Sequence, residues 1–221
     1  MRTFCMTLAY DGGRYNGWQK QTMTANTIQG KLERLLTDLL QEKIEIQGAG
    51  RTDAGVHALG QCASFHTENW RVDSQTLMDA INARLPEDIA VVGIEEKENR
   101  FHSRLNAKGK WYAYTIWQSK MPPVFRRKYV FCCDTLDVAA MQQAASHLVG
   151  EHDFAAFCGK SNLKKSTVRQ IYAIRFVQDE NAVTIHYYGN GFLYLMVRIL
   201  TGTLIEVGEG KRSPESVKEV L

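Results

Sequence analysis

The stretch GAGRTDAGVHALGQ, Gly48 to Gln61, packs four glycines around one Arg51-Thr52-Asp53 triplet. A dinucleotide-binding loop needs a G-x-G-x-x-G run that leads into a helix. Here Asp53 holds the place of the third glycine, and the next residues, AGVHALGQCASF, read as loop and strand. A carboxylate at that point would also repel a pyrophosphate, so the Rossmann reading is rejected. Two readings remain. One is a glycine-rich turn joining two strands, with Arg51 and Asp53 as a surface ion pair, because glycine accepts positive φ. The other is a site that presents Asp53. In extended backbone residues i and i+2 share a face, so the Arg51 guanidinium would hold and orient the carboxylate, as suits a nucleophile. Ala54 and Gly55 leave room for a large planar substrate. The segment offers one carboxylate, which does not support a glycosidase pair.

Outward from this stretch, strands are expected at Ile44–Ala49 and Gln61–Thr67. Arg2–Tyr10 alternates and closes on Asp11-Gly12-Gly13, the pattern of a strand and turn. Thr27–Leu40 sets Ile28, Leu32, Leu35, Leu36 and Leu39 on one helical face, with Asn26 or Thr27 as N-cap. A helix is expected at Ser74–Leu85, stopped by Pro86, then a strand at Ile89–Glu98. The second half opens on a long aromatic strand, KGKWYAYTIWQ (Lys108–Gln118). Helices are expected near Asp137–Val149 and Phe192–Val207, and strands near Thr167–Val177 and Ala182–Tyr188. Ser213-Pro214-Glu215 starts a further helix, with Ser213 as cap and Pro214 at its first position. The pattern is α+β with mainly antiparallel sheets, in two halves of similar element order, 1–104 and 105–221.

Charge and cysteine usage narrow the function classes. The formal net charge is +3, but it is segregated. Asn99–Cys133 carries eight Lys or Arg and no acid, and Phe154–Gln178 carries five more (160, 164, 165, 169, 175), again without an acid. Such a distribution suits a surface facing a polyanion; the plainer alternative is two solvated strand faces. No run of about 18 apolar residues exists, so no membrane span is expected. The five cysteines include no C-x-x-C pair, and the six histidines form no H-E-x-x-H. This argues for a reducing compartment, the cytoplasm, and against a metal site.

The motif GAGRTDAGVHALGQ resembles the catalytic motif of the tRNA pseudouridine synthase A family. LAYDGGRYNGWQ (Leu8–Gln19), RFHSRLNAKGKWYAY (Arg100–Tyr114), GEHDFAAF (Gly150–Phe157) and GNGFLYLMVRILTG (Gly189–Gly202) agree with it in order and spacing. The resemblance implies the pseudouridine synthase fold, two similar halves around a central RNA-binding cleft. It implies isomerisation of uridine to pseudouridine on the 3′ side of the tRNA anticodon stem-loop (tRNA positions 38, 39 and 40), by a homodimer without cofactor or metal. Asp53 then matches the catalytic aspartate. Arg51 matches an arginine that engages the flipped nucleotide and the RNA backbone. Tyr112 matches the tyrosine that stacks on the target base and assists proton removal, and Arg198 the arginine that pairs with the aspartate. Arg198 lies in an apolar run, where an unpaired charge is costly, so a buried partner is expected. Attack by Asp53 at C1′, attack at C6 and a glycal route all remain open. The rivals are a catalytically silent RNA-binding module and a nucleoside hydrolase. Family members continue for several tens of residues beyond the helix at Ser213, so a shortened C-terminal tail is expected here.

Overall fold

In the computed structural model, which describes residues 1–69, 73–161 and 166–221, the alternation at Arg2–Tyr10 becomes strand β1. Phe4, Met6, Leu8 and Tyr10 lie on its buried face, as the period-two pleat requires. It sits inside a four-stranded sheet of order β2-β3-β1-β4, with β2 at Gln47–Gly48, β3 at Ala58–Thr67 and β4 at Ile89–Lys97. All its pairings are antiparallel. Helices α1 (Ile28–Leu40) and α2 (Ser74–Asn82) share one core with these strands. Of the two expected caps for α1, Thr27 serves: its side chain accepts from Gly30 N–H at 3.2 Å. Ile28, Leu32 and Leu36 are fully buried while Leu35 and Leu39 are partly so, each buried side chain contributing about 1.5–3 kcal/mol. Helix α2 ends at Asn82, earlier than the expected Leu85.

The expected strand at Ile44–Ala49 shrinks to β2. Ile44 and Ile46 are buried, but their backbone bonds go to α1 side chains. Ile44 N–H donates to Thr37 Oγ1 at 3.1 Å and Ile46 N–H to Glu33 Oε1 at 3.1 Å, while Ile46 C=O accepts from Gln29 Nε2 at 3.0 Å. With those groups satisfied, no neighbouring strand is needed.

The chain divides into two compact units, Met1–Ala107 and Lys108–Leu221. The second holds a five-stranded sheet of order β6-β5-β9-β8-β7. Its strands are β5 (Lys110–Gln118), β6 (Phe131–Cys133), β7 (Gly150–Asp153), β8 (Val168–Asp179) and β9 (Ala182–Gly189). Among the described residues, only the β5–β6 pairing of this sheet is parallel. Helices α3 (Val138–Ser146), α4 (Met196–Gly208) and α5 (Ser216–Val220) pack with this sheet into a second core. Asp137 caps α3, accepting from Ala140 N–H at 2.9 Å, and Ser213 Oγ accepts from Ser216 N–H at 3.3 Å ahead of α5. The helix expected from Phe192 starts only at Met196, because Leu195 takes a left-handed φ of 58°. Lys164 and Lys165, counted in the second basic stretch, lie outside the described residues.

Candidate active site

Residues 49–57 form a loop between β2 and β3 whose position is set by the segment after β1. Trp18 N–H donates to Thr52 C=O at 3.0 Å and Gly55 N–H to Tyr15 C=O at 3.3 Å. Tyr10 and Thr52 hydroxyls meet at 2.9 Å, and Gln61 Nε2 donates to Gly50 C=O at 2.8 Å. His57 Nδ1 accepts from Gly12 N–H at 3.1 Å and lies 2.9 Å from Asp11 Oδ1. Gly17, at φ 87°, and Gly12 let the two segments approach; a Cβ on Gly12 would fall 2.0 Å from Val56 O. Gly12 and Gly17 therefore serve backbone contact.

The clamping segment is itself anchored. Tyr15 hydroxyl donates to Asp88 Oδ1 at 2.6 Å, and Arg14 pairs with the other oxygen of the same carboxylate. Burial, then the Asp88 hydrogen bond, pushes the Tyr15 phenol up to about 12. Burial acts to raise the Asp88 carboxyl, but the Arg14 and Tyr15 hydrogen bonds outweigh it and hold the group below the usual carboxylate range. Arg14 and Tyr15 lie in the stretch LAYDGGRYNGWQ, whereas Asp88, which anchors them, carries no motif of its own.

Asp53 is partly exposed, and its C=O accepts from Val56 N–H at 3.1 Å in a turn. Its carboxylate has no hydrogen bond or ion pair within its unit among the described residues. The expected Arg51–Asp53 pair is not formed. Residues 51–53 lie outside any strand, so the shared-face rule for extended backbone does not apply, and the Arg51 side chain is exposed. The loop thus holds its backbone by several bonds and leaves one carboxylate open.

The second unit carries the other two predicted residues. Tyr112 lies on β5 opposite Tyr187 of β9, on the face that packs into the core, and meets Phe192 edge-on with centroids 5.1 Å apart. Trp111 points to the opposite face, stacked on Tyr188 at 4.3 Å and 58% exposed. Arg198 is on α4, where Met196, Leu200, Leu204 and Val207 form the buried stripe. At 100° per residue Arg198 falls about 200° from Met196, so it is exposed. Within its own unit the guanidinium has no partner among the described residues, and the helix turns it to solvent. Among the described residues, no cluster of three or more His, Cys, Asp or Glu is arranged to hold a metal ion. No helix among them is long and apolar enough to cross a membrane.

Comparison with known proteins gives this loop its context. The family model described as tRNA pseudouridine synthase matches residues 6–106 and 144–221. The chain is 42% identical over 222 residues to "tRNA pseudouridine synthase A 2" of Bacillus cereus (strain ZK / E33L), covering 100% of this chain and 90% of that protein. It is 44% identical over 223 residues to "tRNA pseudouridine synthase A" of Bacillus sp. (strain KSM-64), covering 100% and 91%. The counterpart named "tRNA pseudouridine synthase A" in Geotalea uraniireducens (strain Rf4) is 42% identical over 222 residues, covering 100% and 90%. Among solved structures, a chain of a Cbf5-Nop10-Gar1 complex aligns over 92% of this chain and 45% of its own length, at 14% identity and a TM-score of 0.39. With a family model spanning most of its length and curated relatives spanning all of it, the chain belongs to the tRNA pseudouridine synthase family.

Proposed function

We propose that this chain isomerises uridine to pseudouridine on the 3′ side of the tRNA anticodon stem-loop, with Asp53 as its catalytic group. The observation that carries the reading is the loop itself: a backbone tied down at Gly50, Thr52 and Gly55, presenting a carboxylate that its own unit leaves unpartnered. The reaction breaks the C1′–N1 bond and forms a C1′–C5 bond, with the C5 proton lost and one proton gained at N1. A carboxylate held in place and open to solvent serves attack at C1′ or at C6. The target base must leave its stack to be reached, so the nucleotide flips out. Tyr112 stacks on the detached base and assists removal of the C5 proton, which keeps the base from escaping during its rotation. Arg51 engages the nucleotide and its phosphate as an exposed guanidinium. Arg198, lacking a partner in its own unit, is the counter-charge for Asp53. The basic residues of the second unit within 108–133, with Lys160, Arg169 and Arg175, face the tRNA backbone. The working form is a homodimer in the cytoplasm.

The test uses tRNA carrying tritium at uridine C5. The parent chain releases tritium to water and the Asp53→Ala variant does not. Release that survives in the variant removes Asp53 from its role. A parent that binds tRNA and releases nothing marks a silent binding module, and free uracil as product marks a nucleoside hydrolase.

A further inference from the structure

Between β5 and β6 the chain runs through residues 119–130 without strand or helix. Its course is set by Trp117. The indole Nε1–H donates to Met121 C=O at 3.0 Å, and the Arg126 guanidinium lies over the ring, 5.6 Å from its centroid. Two turns, Arg126 N–H to Pro123 C=O at 2.9 Å and Tyr129 N–H to Arg126 C=O at 2.8 Å, complete the loop. This scaffold leaves four large apolar side chains in water: Met121 is 78% exposed, Val124 59%, Phe125 96% and Tyr129 51%. Lys120, Arg126, Arg127 and Lys128 are exposed on the same loop, which contains no acid.

An aromatic ring so exposed gains nothing from burial in the isolated chain, and apolar side chains gathered on a surface mark a place where something binds. The charges choose the partner. A second copy of this chain docking loop to loop here would bring two sets of four positive charges together, whereas a polyanion neutralises them. Aromatic faces beside basic side chains are the means by which single-stranded nucleic acid is held, bases on rings and phosphates on cations. The family match stops at residue 106 and resumes at 144, so the segment lies outside what that match accounts for.

We infer that residues 119–130 form an additional tRNA-binding site, in which Phe125 stacks on an unpaired base and Lys120, Arg126, Arg127 and Lys128 contact phosphates. This rests on tRNA being the substrate. The experiment measures binding of an unmodified tRNA transcript at several salt concentrations, alongside tritium release from C5-labelled tRNA. Phe125→Ala weakens binding about tenfold, equal to about 1.4 kcal/mol, and Phe125→Trp retains it. The Lys120→Ala/Lys128→Ala pair, two charges with no scaffold contact, lowers the slope of log affinity against log salt by about 1–2. Thermal midpoints stay with the parent in all variants, since the altered groups are in solvent. Parental affinity in Phe125→Ala and parental salt slope in the lysine pair, with the parent active, overturn the inference and leave the function standing. Self-association lost in Phe125→Ala with tRNA binding unchanged also overturns it and assigns the loop to a second copy. A parent that forms no pseudouridine defeats the proposed function instead.

Discussion

Replacing Gly12 with alanine tests whether the hold of the post-β1 segment on the Asp53 loop sets activity. A methyl group at Gly12 would fall 2.0 Å from the carbonyl oxygen of Val56 and 2.7 Å from its carbonyl carbon. Carbon–oxygen contacts settle at about 3.3–3.6 Å, so the two backbones must part by about 1 Å or more. No rotamer change absorbs this, because the clashing atoms are main chain. Val56 N–H is bonded to the Asp53 carbonyl at 3.1 Å, so the shift passes to the carboxylate three residues away. Overpacking of this kind costs about 1–3 kcal/mol, which a domain with about 5–15 kcal/mol of stability survives at 25 °C. A misplacement of about 1 Å at a reacting group lowers rate by about 10²-fold. The expected variant is folded, has a lower urea midpoint, and releases tritium from C5-labelled tRNA about a hundredfold more slowly. A folded Gly12→Ala protein with the parental rate would refute the claim that this backbone contact positions Asp53.

Two further outcomes rest on the same structure. Gly202 is exposed within α4, and a Cβ there meets nothing within 4 Å, so Gly202→Ala raises stability by about 0.5–1 kcal/mol; urea unfolding checks it, and a loss of stability contradicts the open space. Cys62, exposed on β3, has its thiol drawn down to about 6, first by a hydrogen bond with Cys5, against burial and with help from Thr7. The Cys5 thiol is pushed up correspondingly. Since the thiolate is the reactive form, iodoacetamide labelling of Cys62 rises as pH increases through about 6. In Cys5→Ala the midpoint moves up toward the free-thiol value of about 8.5. A parental midpoint already at the free-thiol value sinks the Cys5–Cys62 contact.

Elements whose side chains split between core and solvent could be read from the sequence. Strand β1 alternates because one of its faces is buried, and α1 repeats at helical spacing because Ile28, Leu32 and Leu36 fill one stripe. Burial and pairing are separate facts, however, and a pattern reports only the first. Ile44 and Ile46 alternate as a strand would, yet their backbone is satisfied by side chains of α1. The run FLYLMVRIL hides both the left-handed residue at Leu195 and the exposed face on which Arg198 stands. β7, Gly150–Asp153, has no apolar pattern at all and exists through its ladder with β8. Asp53 was legible because a motif surrounds it. The contacts that fix it, from Gly12, Tyr15 and Trp18, span more than thirty residues of sequence, and neither motif alone shows that the two meet.

The strand order of the first sheet also has a consequence for synthesis. β1 lies between β3 and β4, so the strand made first must wait for both partners to leave the ribosome. At about 5–20 residues per second, the end of β4 emerges roughly 5–20 s later. Until β4 follows, β1 can pair only with β3, and its other edge stays open. The middle of this sheet is the first part translated and the last to be enclosed, and a chaperone that meets the nascent chain meets those nine residues.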